Sequence, residues 1–310
     1  MNTFQEEAKS CKDLLALYKK QARPSRPERL LFTGVGENDV YNITAPFEDQ
    51  GEKVIAGRVE SRDSESSRVF FFVEKGDGTW ASRDGAPSFE LQDPFFTRIK
   101  GDLIIGGVQT FPHPTVDHAL MWRTVFYKGA SIETLELFFS GPDGMKDLRI
   151  VELADGSIGV FTRPQGEKGG RGKIGYTRIS SLQDLSIEVI EEAPLFMGQF
   201  NDDEWGGANE LHLLEDGKIG VLGHIACFDA DNGKHYYPMS FIFNPNDQSC
   251  SPIKIIAERS DFLPGVAKQE DLIDVVFSGG LVRESDGTAV FYAGISDAEA
   301  HRIVIRDPFL

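Results

Sequence analysis

The spacing of hydrophobic and polar positions changes character near residue 24. Before it, apolar side chains at Phe4, Ala8, Cys11, Leu15 and Tyr18 recur at helical spacing, and Pro24 and Pro27 end the segment. This predicts one amphipathic helix over Phe4–Gln21, lying against a main domain and taking no part in chemistry. From Leu30 onward the pattern is that of strands. Runs such as Val69–Val73, Leu103–Ile105, Ile219–Leu222 and Ala289–Tyr292 are short, β-prone and bounded by Gly and Asp turns. The expected division is 1–28 as helix and linker and 29–310 as a single β domain.

Within that domain one unit recurs five times. EKVIAGRVES from Glu52, GDLIIGGVQT from Gly101, GSIGVFTRPQ from Gly156, GKIGVLGHIA from Gly217 and GTAVFYAGIS from Gly287 each run from a turn, through an apolar strand, to polar groups. Three of them begin at Asp-Gly pairs (Asp155-Gly156, Asp216-Gly217, Asp286-Gly287), a strong hairpin signal. Ahead of each copy stands a strand with a polar start: NDVYNITAPF, ELQDPFFTRI, MKDLRIVEL, GANELHLLE and DLIDVVFSGGLV. Sheets that cannot bury both faces alone bury them against one another when arranged radially, and a spacing of roughly 50 to 70 residues suits such blades. The expected fold is all-β, a five-bladed β-propeller with a short N-terminal helix. Leu30–Val35 beside His301–Pro308 is the expected ring closure. A flat β-sandwich would leave the matched polar starts unexplained.

In a propeller the first strand of each blade lines the central channel, so equivalent strand ends meet. That brings Asn42, Gln92, Asp93, Lys146, Asp147, Asn209, Glu210 and Asp274 together, joined by Arg58, Glu60, Arg163, His224 and Asp297 from the second strands. Carboxylates, amides and a few cations in one pocket suit sugar hydroxyls, and Trp205 is placed to stack on a sugar face. Composition narrows the alternatives. A formal net charge of −17 disfavours nucleic acid as a partner. Three cysteines are too few and too scattered for a disulfide framework or a zinc site. Glu6, Glu7, Lys9 and Lys12 interrupt any leader-like apolar run, and no stretch approaches the ~20 residues of a bilayer span. The expectation is a cytoplasmic protein with a small carbohydrate substrate and no membrane, metal or organic cofactor. The acidic run Asn201–Glu204 reads as a solvated turn ahead of a calcium loop.

At these residues the chain resembles the five-bladed propeller enzymes of glycoside hydrolase family 130, the β-mannoside phosphorylases and related hydrolases. More narrowly it resembles the MTP-1 family (domain of unknown function 1861). The resemblance spans about Asn38 to Ile303 and rests on QDPFF, MKDLRIVEL, NELHLLEDGKIGVLGHIA, DVVFSGGLV and FYAGISDA, in that order. It implies that Asp93 matches the proton donor of a Glu-Asp-Pro-Arg motif, whose Glu and Arg are Gln92 and Phe95 here. It implies that Lys146, ahead of Asp147, helps hold phosphate, that His224 matches a hairpin-end histidine, and that Asp297 binds a sugar hydroxyl. The implied reaction is displacement at an anomeric carbon with inversion, with Asp93 as general acid. If water attacks, a carboxylate base ~6.5–9.5 Å away is needed, and Glu210 and Glu60 are the candidates. If phosphate attacks as co-substrate, cations are needed instead: Lys146, Arg58, Arg123, Arg163 and His224. Hydrolysis and phosphorolysis both stay open at this stage, as does a propeller that only binds sugars or proteins.

Overall fold

The computed structural model describes residues 3–4 and 7–310. It is built mostly of β-sheet, and among the described residues the strands fall into five consecutive antiparallel groups. In the first, Asp39–Tyr41 and Phe47–Asp49 both pair with Glu52–Glu60, followed by Arg68–Glu74 and Thr79–Ser82. The second comprises Gln92–Ile99, Asp102–Pro112, Leu120–Gly129 and Glu136–Ser140. The third has Arg149–Glu152, Ile158–Thr162 and Gly175–Ile179. The fourth is Trp205–Leu213, Ile219–Phe228 and Lys234–Phe243, and the fifth Asp274–Arg283, Thr288–Ile295 and Glu299–Arg306. A short parallel pairing of His235 with Asp274 and Tyr236 with Val275 joins the last two.

Five apolar clusters fill the five junctions between these groups. Leu91, Leu103 and Val125 meet Val54, Phe71 and Val73 between the first and second, and Phe95, Ile104 and Phe126 meet Leu148, Ile150 and Val160 between the second and third. Phe161 and Tyr176 pack on Phe241 and Phe243, and Leu222 packs with Val276 and Phe291. Tyr292 and Ala300 then return to Ile55, Phe72 and Trp80 of the first group. Each sheet therefore buries both faces against its neighbours, and the series closes on itself.

Closure uses a different strand from the one expected. Leu30–Val35 does not lie beside His301–Pro308. Ser25–Arg29 takes that position, with Glu28 opposite Arg302 and Arg29 opposite His301. Leu31–Thr33 runs parallel to Thr79–Ala81 in the first group instead. The closing strand is exposed at every position and contains Pro27, which an edge strand tolerates because its outward N–H needs no partner. Glu28 accepts both Arg302 Nε and Nη2, at 2.9 and 2.7 Å.

The helix is also shorter than expected. It runs Cys11–Tyr18, with Ser10 as N-cap accepting from the Asp13 N–H at 3.1 Å. Thr3–Phe4 is extended and pairs with Ser249–Cys250, while Gln5 and Glu6 lie outside the described residues. Cys11, Leu14 and Tyr18 join the core beside the fourth group. Glu204 Oε1 accepts the Cys11 N–H at 2.6 Å, so this end of the acidic run serves the first turn of the helix. No helix among the described residues is long and apolar enough to cross a membrane.

Candidate active site

A cavity of about 270 Å³ lies where all five groups meet. Asn42 and Arg58 come from the first, Gln92 and Asp93 from the second, and Lys146, Asp147 and Arg163 from around the third. His224, Lys234 and Tyr236 come from the fourth, and Val275, Phe277 and Asp297 from the fifth. Nine of the residues singled out from sequence therefore share one volume: Asn42, Arg58, Gln92, Asp93, Lys146, Asp147, Arg163, His224 and Asp297.

The backbone explains how they get there. Asn42, Asp93, Asp147 and Asp297 all have positive φ, at 44°, 50°, 55° and 49°. Asn and Asp are the non-glycine residues that tolerate this region best, and a non-glycine residue held there is a form of strain that gathers at functional sites. The first strands of the second, fourth and fifth groups also carry a β-bulge at corresponding points, opposite Gly106–Val108, at Asn209 and at Gly279. A bulge re-aims side chains where regular alternation would not. Close approach matters at Gly207, where a Cβ would stand 2.6 Å from Asp147 Oδ2 and 2.8 Å from Arg163 Cδ.

Charge is divided across the cavity. On one side, Asp93 Oδ1 accepts from Asn42 Nδ2 at 2.8 Å and from Arg58 Nη1 at 3.2 Å. Both contacts fall on Oδ1, which leaves Oδ2 for a ligand. Burial pushes the Asp297 carboxyl up to about 6, with Asp93 adding to the rise and Arg58 opposing it. On the other side, Asp147 lies 3.4 Å from Arg163, 3.7 Å from Arg149 and 4.0 Å from His224. Burial acts to raise the Asp147 carboxyl, but Arg163, His224, Arg149 and Lys146 outweigh it and hold it below the usual range. Burial brings His224 down to about 4, so its ring is neutral at pH 7 and offers a hydrogen bond rather than a charge. Burial also lowers Lys146, against the pull of Asp93 and Asp147. Among the described residues its ammonium has no carboxylate within ion-pair distance, and it stands 5.2 Å from the Trp122 ring.

A family model described as "Protein of unknown function (DUF1861)" matches residues 17–310. The chain belongs to that family. Its structure is similar to that of MPT-4, a mannose phosphorylase from Leishmania mexicana in complex with phosphate ion. Identity is 34%, 96% of this chain and 93% of that one are covered, and the TM-score is 0.88. It is similar too to MPT-1, a GDP-Man-dependent mannosyltransferase from Leishmania mexicana (33% identity, 97% and 95% covered, TM-score 0.87). At 14% identity it shares its fold with the β-1,2-mannobiose phosphorylase of Listeria innocua, with 91% of each chain covered and a TM-score of 0.63. Among curated proteins, none matches the chain.

Six expected residues of this DUF1861 chain lie outside the cavity lining. Glu60 sits behind Arg58, where Oε2 takes Nη2 at 2.6 Å and Nε at 3.0 Å, while Oε1 takes Tyr41 Oη at 2.9 Å and Lys268. Burial acts to raise it, but Arg58, Lys268 and Ser67 hold it below the usual range. Glu210 turns to the fifth group, accepting the Leu281 N–H at 2.7 Å and lying 2.7 Å from His212 Nε2. The extra residue at the Asn209 bulge sends it there. Neither glutamate lines the cavity. Asn209 forms a second layer, its Oδ1 2.9 Å from His224 Nδ1. Asp274 is at the seam of the last two groups, 2.5 Å from His235 Nδ1 and 3.0 Å from Tyr237 Oη. Trp205 donates to Tyr236 Oη at 3.1 Å, and Tyr236, with Phe277, lines the cavity where Trp205 does not. Arg123 lies over Phe111 and pairs with Asp143 at 3.3 Å.

Sequence reasoning passed over Arg149, Tyr236, Glu65 and Lys268. Arg149 explains the altered motif: its guanidinium stacks 3.9 Å from the centre of the Phe95 ring, which occupies the motif's arginine position. Its Nε donates to Asn209 C=O at 2.7 Å. Burial lowers it to about 10. Its signal was the Arg-Ile pair inside MKDLRIVEL.

Proposed function

We propose that this protein is a glycoside phosphorylase acting on a β-mannoside with inversion, and that its five sheets are the blades of a five-bladed β-propeller around the cavity. Residues 29–310 make up most of the propeller, and 1–28 contribute the docked helix and all but the last residue of the closing strand Ser25–Arg29. The observation that carries the reading is the joining, in one small cavity, of the Asp93 carboxyl group, whose hydrogen bonds among the described residues all fall on Oδ1, and the Lys146 ammonium, which has no carboxylate within ion-pair distance among them. The similarity to a mannose phosphorylase in complex with phosphate ion supports it.

In the reaction, a phosphate oxygen attacks the anomeric carbon from the side of Lys146 and Arg163 while the glycosidic C–O bond breaks. The leaving oxygen takes a proton from Asp93, directly or through a sugar hydroxyl, giving mannose 1-phosphate and the free acceptor. Lys146 and Arg163 balance the phosphate charge, His224 supplies a neutral hydrogen bond, and Asp147 keeps the two arginines in place. Asn42, Gln92 and Asp297 hold sugar hydroxyls. Phosphate brings its own nucleophilic oxygen, whereas water would need a base. Glu60 and Glu210 are both committed elsewhere, which favours phosphorolysis over hydrolysis.

A second reading, mannosyl transfer from a nucleotide sugar, has support from the comparable similarity to a GDP-Man-dependent mannosyltransferase. The same cations would then meet a diphosphate. Incubation with mannobiose and aryl β-mannosides, with and without phosphate, and with GDP-mannose plus a mannoside acceptor, separates the readings. Phosphate-dependent formation of mannose 1-phosphate is expected. Release without phosphate would move the chain to hydrolysis, and GDP release with acceptor elongation would move it to transfer.

A further inference from the structure

All three cysteines are free thiols, and two of them meet. Cys11 opens the helix Cys11–Tyr18, Cys227 lies near the end of Ile219–Phe228 in the fourth group, and a side-chain hydrogen bond joins them. Neither lines the central cavity. Their surroundings differ in charge. Cys227 stands directly opposite His235 across the antiparallel pair. His235 has a carboxylate at each ring nitrogen: Asp274 Oδ2 is 2.5 Å from Nδ1, and Asp229 Oδ2 is 3.1 Å from Nε2. Burial acts to lower His235, but the two aspartates outweigh it and favour the imidazolium. Cys11 instead has the buried Glu204 beside it, whose Oε1 accepts the Cys11 N–H at 2.6 Å. The hydrogen bond from Cys11, helped by His235, holds Cys227 below the usual thiol range against burial, Glu204 and Asp274. The same hydrogen bond, burial and Glu204 push the Cys11 thiol up. Exposure divides the pair in the same way: Cys227 is half-buried, whereas Cys11 is fully buried behind it.

We infer that Cys227 and Cys11 are a peroxide-reactive pair, with Cys227 as the attacking sulfur and Cys11 as the resolving one. A partly exposed thiolate beside a cation, in contact with a second thiol, is the setting in which oxidation is selective and reversible. The Cys227 thiolate attacks one oxygen of a hydroperoxide and the O–O bond breaks. The sulfur gives up two electrons and becomes a sulfenic acid, while the other oxygen leaves and takes a proton from solvent. Cys11 sulfur then displaces the sulfenic hydroxyl, which departs with the Cys11 proton as water, and the S–S bond forms. Two sulfurs already in hydrogen-bond contact are within reach of that bond. The disulfide ties the N-terminal helix to the strand that carries His224, and small thiols reverse it by exchange.

Peroxide treatment of the intact protein tests this, with thiols counted after denaturation and linked peptides mapped by mass spectrometry. The wild type is expected to fall from three thiols to one, with an intramolecular Cys11–Cys227 link. Cys250 should stay reduced, since burial pushes its thiol up to about 12. In the native protein at pH 7, an alkylating agent should label Cys227 at least about tenfold faster than Cys250. Cys11→Ser, which keeps a hydroxyl donor to Cys227, should stop at a Cys227 sulfenic acid that a 1,3-diketone traps. Cys227→Ser should leave Cys11 reduced. His235→Gln should slow Cys227 oxidation at least about threefold. Failure of the wild type to form the link overturns the pair whatever the variants do. Labelling of Cys227 no faster than Cys250, oxidation of Cys11 in Cys227→Ser, or an unchanged rate in His235→Gln overturns the assignment of Cys227 as the attacking sulfur.

Discussion

On one side of the central cavity, Arg58 is the cation among three lining carboxylates, Asp93, Asp297 and Glu65; on the other, Lys146 and Arg163 act on Asp147. The two sides also differ in how their charges are held. The carboxylate side is braced from behind by Glu60, which binds Arg58, Tyr41 and Lys268 in one buried network. The cation side is braced by one carboxylate, Asp147, serving Arg163 and Arg149. A reaction that protonates a sugar oxygen and stabilises an anionic attacker needs opposite electrostatics a few ångströms apart. Two walls drawn from different sheets supply that, because each sheet's core packing is independent of the charge it presents.

The most severe way to break the comparison is at its meeting point. Asp93→Asn is expected to lower turnover on mannobiose by about 10²–10⁴-fold with little change in unfolding midpoint. The loss should shrink with aryl mannosides whose leaving groups need no proton. An Asp93→Asn protein with full activity on mannobiose would remove the acid from the mechanism. Next comes the brace of the cation wall. Asp147→Asn leaves buried Arg149 and Arg163 without their counter-charge, so denaturant unfolding should show a loss of about 3–5 kcal/mol. A change under about 1 kcal/mol would show that the arginines are held by their backbone carbonyl partners alone.

These two residues were legible because they sit where a polar start interrupts an apolar strand, and that interruption recurs from one group of strands to the next. The hairpins were legible for the same reason, through Asp-Gly turns and alternation. What was not legible follows from two physical facts. A bulge shifts the phase of a strand by one residue, so Glu210, next to the bulged Asn209, turns away to Leu281. An exposed edge strand needs no hydrophobic pattern, so Ser25–Arg29 reads as linker while the more apolar Leu31–Thr33 next to it draws attention. Arg149 belongs to a third kind of case. Its role comes from stacking on Phe95 of the preceding sheet, a contact between positions 54 apart that no local pattern encodes.

The carboxylate wall makes a prediction of opposite sign. Asp297 has its folded-state pKa raised by burial to about 6, well above the ordinary value of 3.8. The folded protein therefore binds that proton more tightly than the unfolded chain. The stability this contributes is fully present below pH 3.8 and lost as pH rises through 6, leaving a buried charge that costs up to about 3 kcal/mol at neutral pH. Asp297→Asn should accordingly be more stable than the wild type at pH 7.5, by about 1–3 kcal/mol, with the gain fading toward pH 4. Paired denaturant titrations at the two pH values measure it. A gain that does not depend on pH would mean that the Asn helps by packing, and that the carboxylate wall stores no electrostatic strain.

The smallest effect separates two cations that the sequence alone did not distinguish. Lys146 and Arg123 were both candidates for phosphate, and only Lys146 lines the cavity. Arg123 has its own partners, Gln109 Oε1 at 3.0 Å and Asp143 at 3.3 Å, and rests on the Phe111 ring. Lys146→Met preserves length and apolar contact with Trp122 and removes the charge. It is expected to raise the KM for phosphate about tenfold or more, equivalent to about 1.4 kcal/mol, with a smaller effect on the KM for the mannoside. Arg123→Ala removes a half-exposed ion pair worth at most about 0.5 kcal/mol and should leave the phosphate KM within twofold. The contrast matters more than either value. If the two substitutions weaken phosphate equally, the effect is the general positive field of this side of the molecule, and raising the salt concentration should then erase both losses together. If only Lys146→Met acts and its loss persists at high salt, the ammonium is a contact made inside the cavity, which is what an unpaired cation beside a buried carboxylate is built to offer.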